Sequence, residues 1–182
     1  MDEALLLDIA KTAIKSNFDE NIKVEKEKLL EKNPFLSKIQ ATFVTLTIDG
    51  NLRGCIGSLV ASRSLIDDLI YNSIAAAFAD PRFVELNQEE FEKIRIEISL
   101  LTKPEVLEYK DFEDLQNKLI PNKHGVILEL DGKRATFLPQ VWEQLPTFNG
   151  FMVHLCQKAG LQPDNLTAFP NIQTYEAIKI KE

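Results

Sequence analysis

Residues Thr42–Ile48 alternate strictly, with Val44, Leu46 and Ile48 on one side of an extended chain and Phe43, Thr45 and Thr47 on the other. A strand of that pattern has one buried face and one open face, and this limits the fold to a sheet covered on one side. Asp49-Gly50 follows as a turn signal, and a second extended stretch, Leu52–Leu59, returns along the first. The returning stretch gathers Arg53, Gly54, Cys55 and Gly57 into five positions. Glycine weakens a strand and has no side chain to pack, so it marks a bulge or a close approach to the backbone.

The turn has two possible lengths. A two-residue turn pairs Leu46 with Arg53 and Val44 with Cys55, which puts a guanidinium on the apolar face. A three-residue loop pairs Ile48 with Leu52 and Val44 with Ile56, and sets Arg53 and Cys55 beside Thr47 and Thr45. A one-residue slip turns every side chain to the other face, so the apolar pattern favours the longer loop. On that register the guanidinium and the sulfur share the polar face.

Leu5, Leu6, Ile9, Ala10, Ala13 and Ile14 recur at helical spacing between Asp2 and Phe18. Glu25 to Lys32 forms a charged helix that Asn33-Pro34 ends. Ser64 caps a helix running to about Ala79, with Asp67 and Asp68 near its first turn, where the helix dipole favours carboxylates. Asp80-Pro81 stops that helix, and Arg82-Phe83 follows in an exposed turn. Ile94 to Leu101 alternates as a further strand, and Asp111 to Leu119 reads as a short helix. Gly125–Leu130 and Lys133–Leu138 form a hairpin about Asp131-Gly132, pairing Glu129 with Arg134 and Leu128 with Ala135. Pro139 opens a helix through Trp142, and Phe148 to Ala159 forms another. A loop containing Pro163 and Pro170 leads to a last strand from about Thr174 to Ile180. Short hairpin-linked strands with interspersed helices define an α+β protein, a mostly antiparallel sheet covered by helices.

A chain of 182 residues can bury a core without a metal or disulfide staple. Its net charge of −7 disfavours nucleic acid and anionic membrane surfaces as partners. The two cysteines, Cys55 and Cys156, form no disulfide framework, and no spacing calls for a metal or other cofactor. Met1-Asp2-Glu3 lacks the basic start of a secretory signal, and no apolar run is long enough for a membrane span. A reduced, cytoplasmic protein is the expectation.

Cys55 is the first candidate for chemistry, because thiolate is the nucleophilic form of a thiol and a nearby cation favours it. Two positions away on a strand, Arg53 points to the same side and can supply that charge. The competing reading of Cys55 is a small buried hydrophobe. Arg53 suits a carboxylate or phosphate that Gly54 and Gly57 admit to the backbone; alternatively it is a salt bridge pinning the sheet to the helix beyond. His124 stands in a loop where a general base can be presented to a cleft. His154 is expected on the surface and Cys156 in the core. Asp80 and Arg82 bracket Pro81 either as substrate-binding groups or as an ion pair bracing the turn.

Leu52-Arg53-Gly54-Cys55-Ile56-Gly57-Ser58-Leu59 resembles the hallmark motif of the AMME syndrome candidate protein family. The likeness extends to Ala79-Asp80-Pro81-Arg82-Phe83, Ile96–Thr102, Lys123-His124-Gly125-Val126, Phe137–Trp142 and Leu155–Leu161. Ala135 departs from a glycine often found nearby. The resemblance implies a two-layer α+β fold over 1–182, with a larger subdomain built from both chain ends and a smaller one within about 60–105. It implies pathway partners of two kinds, a Memo-like protein and a radical S-adenosylmethionine protein. It carries no agreed catalytic roles to transfer.

Two functions are therefore expected in competition. One is an enzyme or enzyme subunit acting on a small anionic or RNA-linked substrate, with Cys55 as the thiol, Arg53 as the anion clamp and His124 as the proton carrier. The other is a non-catalytic protein-binding module that uses the Leu52–Leu59 surface.

Overall fold

The computed structural model describes residues 2–162 and 167–182, so the expected loop position at Pro163 lies outside the described residues. The chain divides into two compact units, Met1–Leu101 with Ile178–Glu182, and Thr102–Ala177. Residues 60–101 belong to the first unit, so the second is not placed within 60–105. The strand that contains residues 95–101 pairs inside the first sheet and carries its core side chains.

In the first unit, helix α1 (Glu3–Lys15) is capped by Asp2, whose carboxylate accepts from the Leu5 N–H. A short α2 (Lys26–Lys32) and a 3₁₀ turn (Pro34–Ser37) lead to strands β1 (Thr42–Ile48) and β2 (Asn51–Gly57). Helix α3 (Leu65–Phe78) follows, with Ser64 accepting from the Asp67 N–H at its start. Then come α4 (Gln88–Phe91) and β3 (Arg95–Leu101). With β8 (Ala177–Lys181) these strands form a sheet of order β2-β1-β3-β8. Strand β1 is antiparallel to both β2 and β3. Val44, Leu46, Ile96 and Ile98 are fully or almost fully buried in one core with Leu6, Ile9 and Ile14 of α1 and Ile66 and Leu69 of α3. That is the two-layer arrangement the alternation required, one sheet face against helices.

The second unit contains β4 (Glu105–Val106), α5 (Phe112–Lys118), β5 (Gly125–Leu130), β6 (Lys133–Phe137), α6 (Phe148–Lys158) and β7 (Asn171–Tyr175). Its sheet runs β4-β7-β5-β6, and its core joins Val126, Leu128 and Ile172 to Leu115, Phe151, Met152 and Cys156. The Trp142 ring, held in a 3₁₀ turn, stacks on Phe151 with centroids 3.8 Å apart. The β5–β6 hairpin has the expected register, with Glu129 opposite Arg134 and Leu128 opposite Ala135. The single last strand expected over Thr174–Ile180 is instead two, β7 and β8, in different sheets. Glu176 separates them, its N–H donating to Thr102 Oγ1 and its C=O accepting from the Thr102 N–H.

The strand glycines are explained by close approach. A Cβ on Gly54 would lie 2.1 Å from the Ala76 carbonyl oxygen, so α3 can rest on β2 only where that strand has no side chain. A Cβ on Gly57 would lie 2.2 Å from the Phe43 ring. At both positions the approaching group is the chain's own. Backbone cannot yield as a ring can by turning about its side-chain bonds, so the two substitutions separate in cost. Gly54→Ala is expected to lose ~3 kcal/mol or more and Gly57→Ala roughly 1–2 kcal/mol in urea unfolding. Equal losses would contradict this packing.

Candidate functional site

The β1–β2 hairpin combines features of both expected registers. Asp49 and Gly50 have φ of 51° and 79° and make a tight two-residue turn, with Ile48 opposite Asn51 and Thr47 opposite Leu52. The register then shifts between Leu46 and Thr47, and beyond it Leu46 faces Gly54, Thr45 faces Cys55 and Val44 faces Ile56. Arg53 is the extra residue of this bulge. It has no partner on β1, which corrects the expected Ile48–Leu52 pairing and the placement of Arg53 beside Thr47.

A bulge re-aims its extra side chain. Arg53 turns to the segment after α3, where Nε and Nη2 donate to the two Glu90 carboxylate oxygens at 2.9 Å each. Nη2 also donates to the Val84 carbonyl at 3.0 Å. The side chain keeps 10% of its exposure, and the paired Glu90 carboxylate raises its already high pKa against the cost of burial. This is the brace between sheet and following helix, with Glu90 on α4. Arg53 is therefore not a free anion clamp. Its buried Nη1 has no hydrogen-bond partner among the described residues.

Cys55 is half-buried, and its Sγ lies 3.2 Å from Thr45 Oγ1. Its N–H and C=O turn to the open side of β2, the outermost strand. Asp80 Oδ2 accepts from that N–H at 2.8 Å, and Arg82 Nη2 donates to that C=O at 3.2 Å. Asp80 also accepts from the Arg82 N–H, Nε and Nη2, the last at 2.7 Å. Hydrogen bonding from Arg82 is the main cause that holds the Asp80 carboxyl well below the usual carboxylate range; burial opposes it, and the Cys55 and Arg82 amides assist. Asp80 in turn raises the Arg82 pKa, with Cys55 a smaller contributor in the same direction. The Phe83 ring centroid lies 5.8 Å from Arg53 Cζ and 5.6 Å from Arg82 Cζ. The cation beside the thiol is thus Arg82, whose side chain is 53% exposed over a buried Asp80.

A second polar centre was not anticipated. Asp68, expected only as a carboxylate near the first turn of a helix, is completely buried. It accepts from the Thr42 N–H and hydroxyl, the Ser58 hydroxyl, Asn72 Nδ2 and Arg63 Nε. A buried carboxylate persists only when paired and hydrogen-bonded in this way. Asp68 and Asn72 lie four apart on α3, facing the same direction as Leu65 and Leu69. Polar residues inside an apolar helical stripe were the available signal.

His124 lies in the second unit. Its Nδ1 accepts from the Ile120 N–H at 3.2 Å, and its carbonyl accepts from Trp142 Nε1 at 2.9 Å. Burial, with Lys123 adding to it and Glu176 opposing, lowers its pKa. Cys156 is fully buried and His154 is exposed, as expected. Among the described residues no cluster of three or more His, Cys, Asp or Glu could hold a metal, and no helix is long and apolar enough to cross a membrane.

Two helix-backed antiparallel sheets, with a glycine-flanked cysteine on an outer strand, define an α+β class to which known proteins can be compared. The AMMECR1 family model matches residues 7–180, and the chain belongs to that family. A protein of Methanosarcina barkeri is 34% identical over 96% of this chain and 87% of its own length. A protein of Aquifex aeolicus is 38% identical over 90% and 84%. The crystal structure of the uncharacterized protein PH0010 from Pyrococcus horikoshii superposes with a TM-score of 0.85 at 30% identity, covering 98% of this chain and 90% of that one.

The Asp80 geometry sets a pH dependence. Its folded pKa lies below the unfolded value of about 3.9, so the ionised carboxylate stabilises the fold above that pH, and this contribution is lost as pH falls from there through the lower folded pKa. Asp80→Asn is expected to lower stability near pH 6 and to flatten the decline towards about pH 3, followed by urea midpoints. Parallel pH profiles for parent and variant would contradict the assignment.

Proposed function

We propose that this chain is a thiol-dependent enzyme, or the thiol-bearing subunit of one, acting on a small anionic substrate at Cys55. The single observation that carries this reading is the Arg82 guanidinium, exposed to solvent and held on the Cys55 backbone by a buried carboxylate. A fixed cation beside a half-buried sulfur suits a substrate whose anionic group must be held while the sulfur reacts. The substrate-binding role passes from Arg53 to Arg82, and Asp80 acts as a positioning residue. Arg53, Gly54 and Gly57 build the strand that presents the sulfur. His124 is left out of this reading, because its hydrogen bonds among the described residues are all to the second unit. A Memo-like protein and a radical S-adenosylmethionine protein are the partners we propose for the same pathway, on the family resemblance alone.

The second reading, a protein-binding module, draws on the exposure of Leu52, Leu59 and Val60, which stand 43%, 41% and 57% open along or beside the motif. One experiment separates the two. The folded protein is treated with neutral iodoacetamide or anionic iodoacetate, and alkylation is mapped by mass spectrometry. Cys55 is expected to react while Cys156, fully buried with its thiol pKa raised by burial, stays protected. Arg82→Gln is expected to lower the iodoacetate-to-iodoacetamide rate ratio by on the order of threefold to tenfold. An inert Cys55, or a ratio unchanged in Arg82→Gln, would overturn the thiol-site reading and leave the binding surface.

A further inference from the structure

The second unit has a hollow of about 260 Å³, lined by Thr102, Lys103, Glu105, His124, Thr174, Tyr175 and Glu176. All of these lie within Thr102–Ala177. The volume is just below the ~300 Å³ at which pockets for drug-sized ligands begin, so its occupant has few heavy atoms.

The charges in the lining differ in how they are used. Glu176 pairs with Lys123 at 3.3 Å, which cancels both. Lys103 and Glu105 make no ion pair or hydrogen bond through their side chains among the described residues. Both line the same hollow. His124 adds a neutral donor. Its Nδ1 is occupied as an acceptor by the Ile120 N–H, so the ring proton of the neutral form sits on Nε2. The lowered pKa keeps that neutral form dominant at neutral pH.

The geometry points to this hollow as a binding site for a small zwitterion of the amino-acid type, its carboxylate on Lys103 and His124 Nε2–H and its ammonium on Glu105. A simple anion meets the carboxylate of Glu105, and a simple cation meets the ammonium of Lys103. A ligand carrying both charges satisfies the two unpaired groups together. The site draws only on residues of the second unit and gives the Lys123-His124-Gly125 stretch a function of its own.

The test follows the two imidazole signals of the full chain by NMR, one from His124 and one from His154. Glycine, L-alanine and L-glutamate are titrated at constant pH and ionic strength, with acetate and methylammonium as half-ligands. At least one amino acid is expected to shift His124 saturably, with His154 unmoved and neither half-ligand saturating in the same range. Lys103→Gln and Glu105→Gln, both substitutions of exposed side chains, are each expected to weaken that binding by about tenfold. No saturable shift of His124, an equal shift of His154, or binding retained when both substitutions are combined would overturn the proposal.

Discussion

The open side of β2 is the constraint on which the first unit depends. An outermost strand presents unpaired N–H and C=O groups that invite another chain. At Cys55 those groups are met by side chains, Asp80 as acceptor and Arg82 as donor, in the order a neighbouring strand would supply. Two residues earlier the bulge sends Arg53 into the same segment to meet Glu90. Residues 80–90 therefore close the strand edge without forming a strand. One consequence is chemical: a sulfur on an edge strand is fixed in position while its surroundings keep an exposed guanidinium.

The other end of the hairpin is tied by a different device. Ser58, just past β2, and Thr42, at the start of β1, both donate to buried Asp68 on α3. Hydrogen bonds to a charged group contribute about 1.5–3 kcal/mol each, and losing the carboxylate would strand several buried donors at once. The hairpin is thus held to α3 by a polar knot at one end and by backbone contact at Gly54 in the middle. The stretch Leu52–Leu59 reads as one motif because Arg53, Gly54, the Cys55 backbone and Ser58 each meet a distinct group of the following helix and loop, while Gly57 makes room for the Phe43 ring of β1.

Much of the fold was legible because local signals agreed. In the β5–β6 hairpin, alternation and the Asp131-Gly132 turn specify the same register, and the structure has it. In the β1–β2 hairpin they conflict by one residue, and the conflict is resolved by a bulge. Nothing local reveals that bulge, since Arg53 and Glu90 are 37 residues apart. Four-residue α4 is too short for helical periodicity, although the Asn87 and Glu90 capping box marks its start. The break at Glu176 follows from pairing with Thr102, 74 residues earlier. The site was legible in part: the motif led to Cys55, but which arginine stands beside the sulfur depends on a bulge that alternation does not contain.

Side chains close the β2 edge at Cys55, and amide hydrogen exchange at that residue reports on this closure. Asp80 is the acceptor the structure provides for the Cys55 N–H, at 2.8 Å. Slow exchange is expected at Cys55 in the parent protein, and exchange at the rate of an open strand edge in Asp80→Ala with neighbouring β1 amides still protected. A Cys55 amide that exchanges freely in the parent, or stays equally protected in Asp80→Ala, would contradict it.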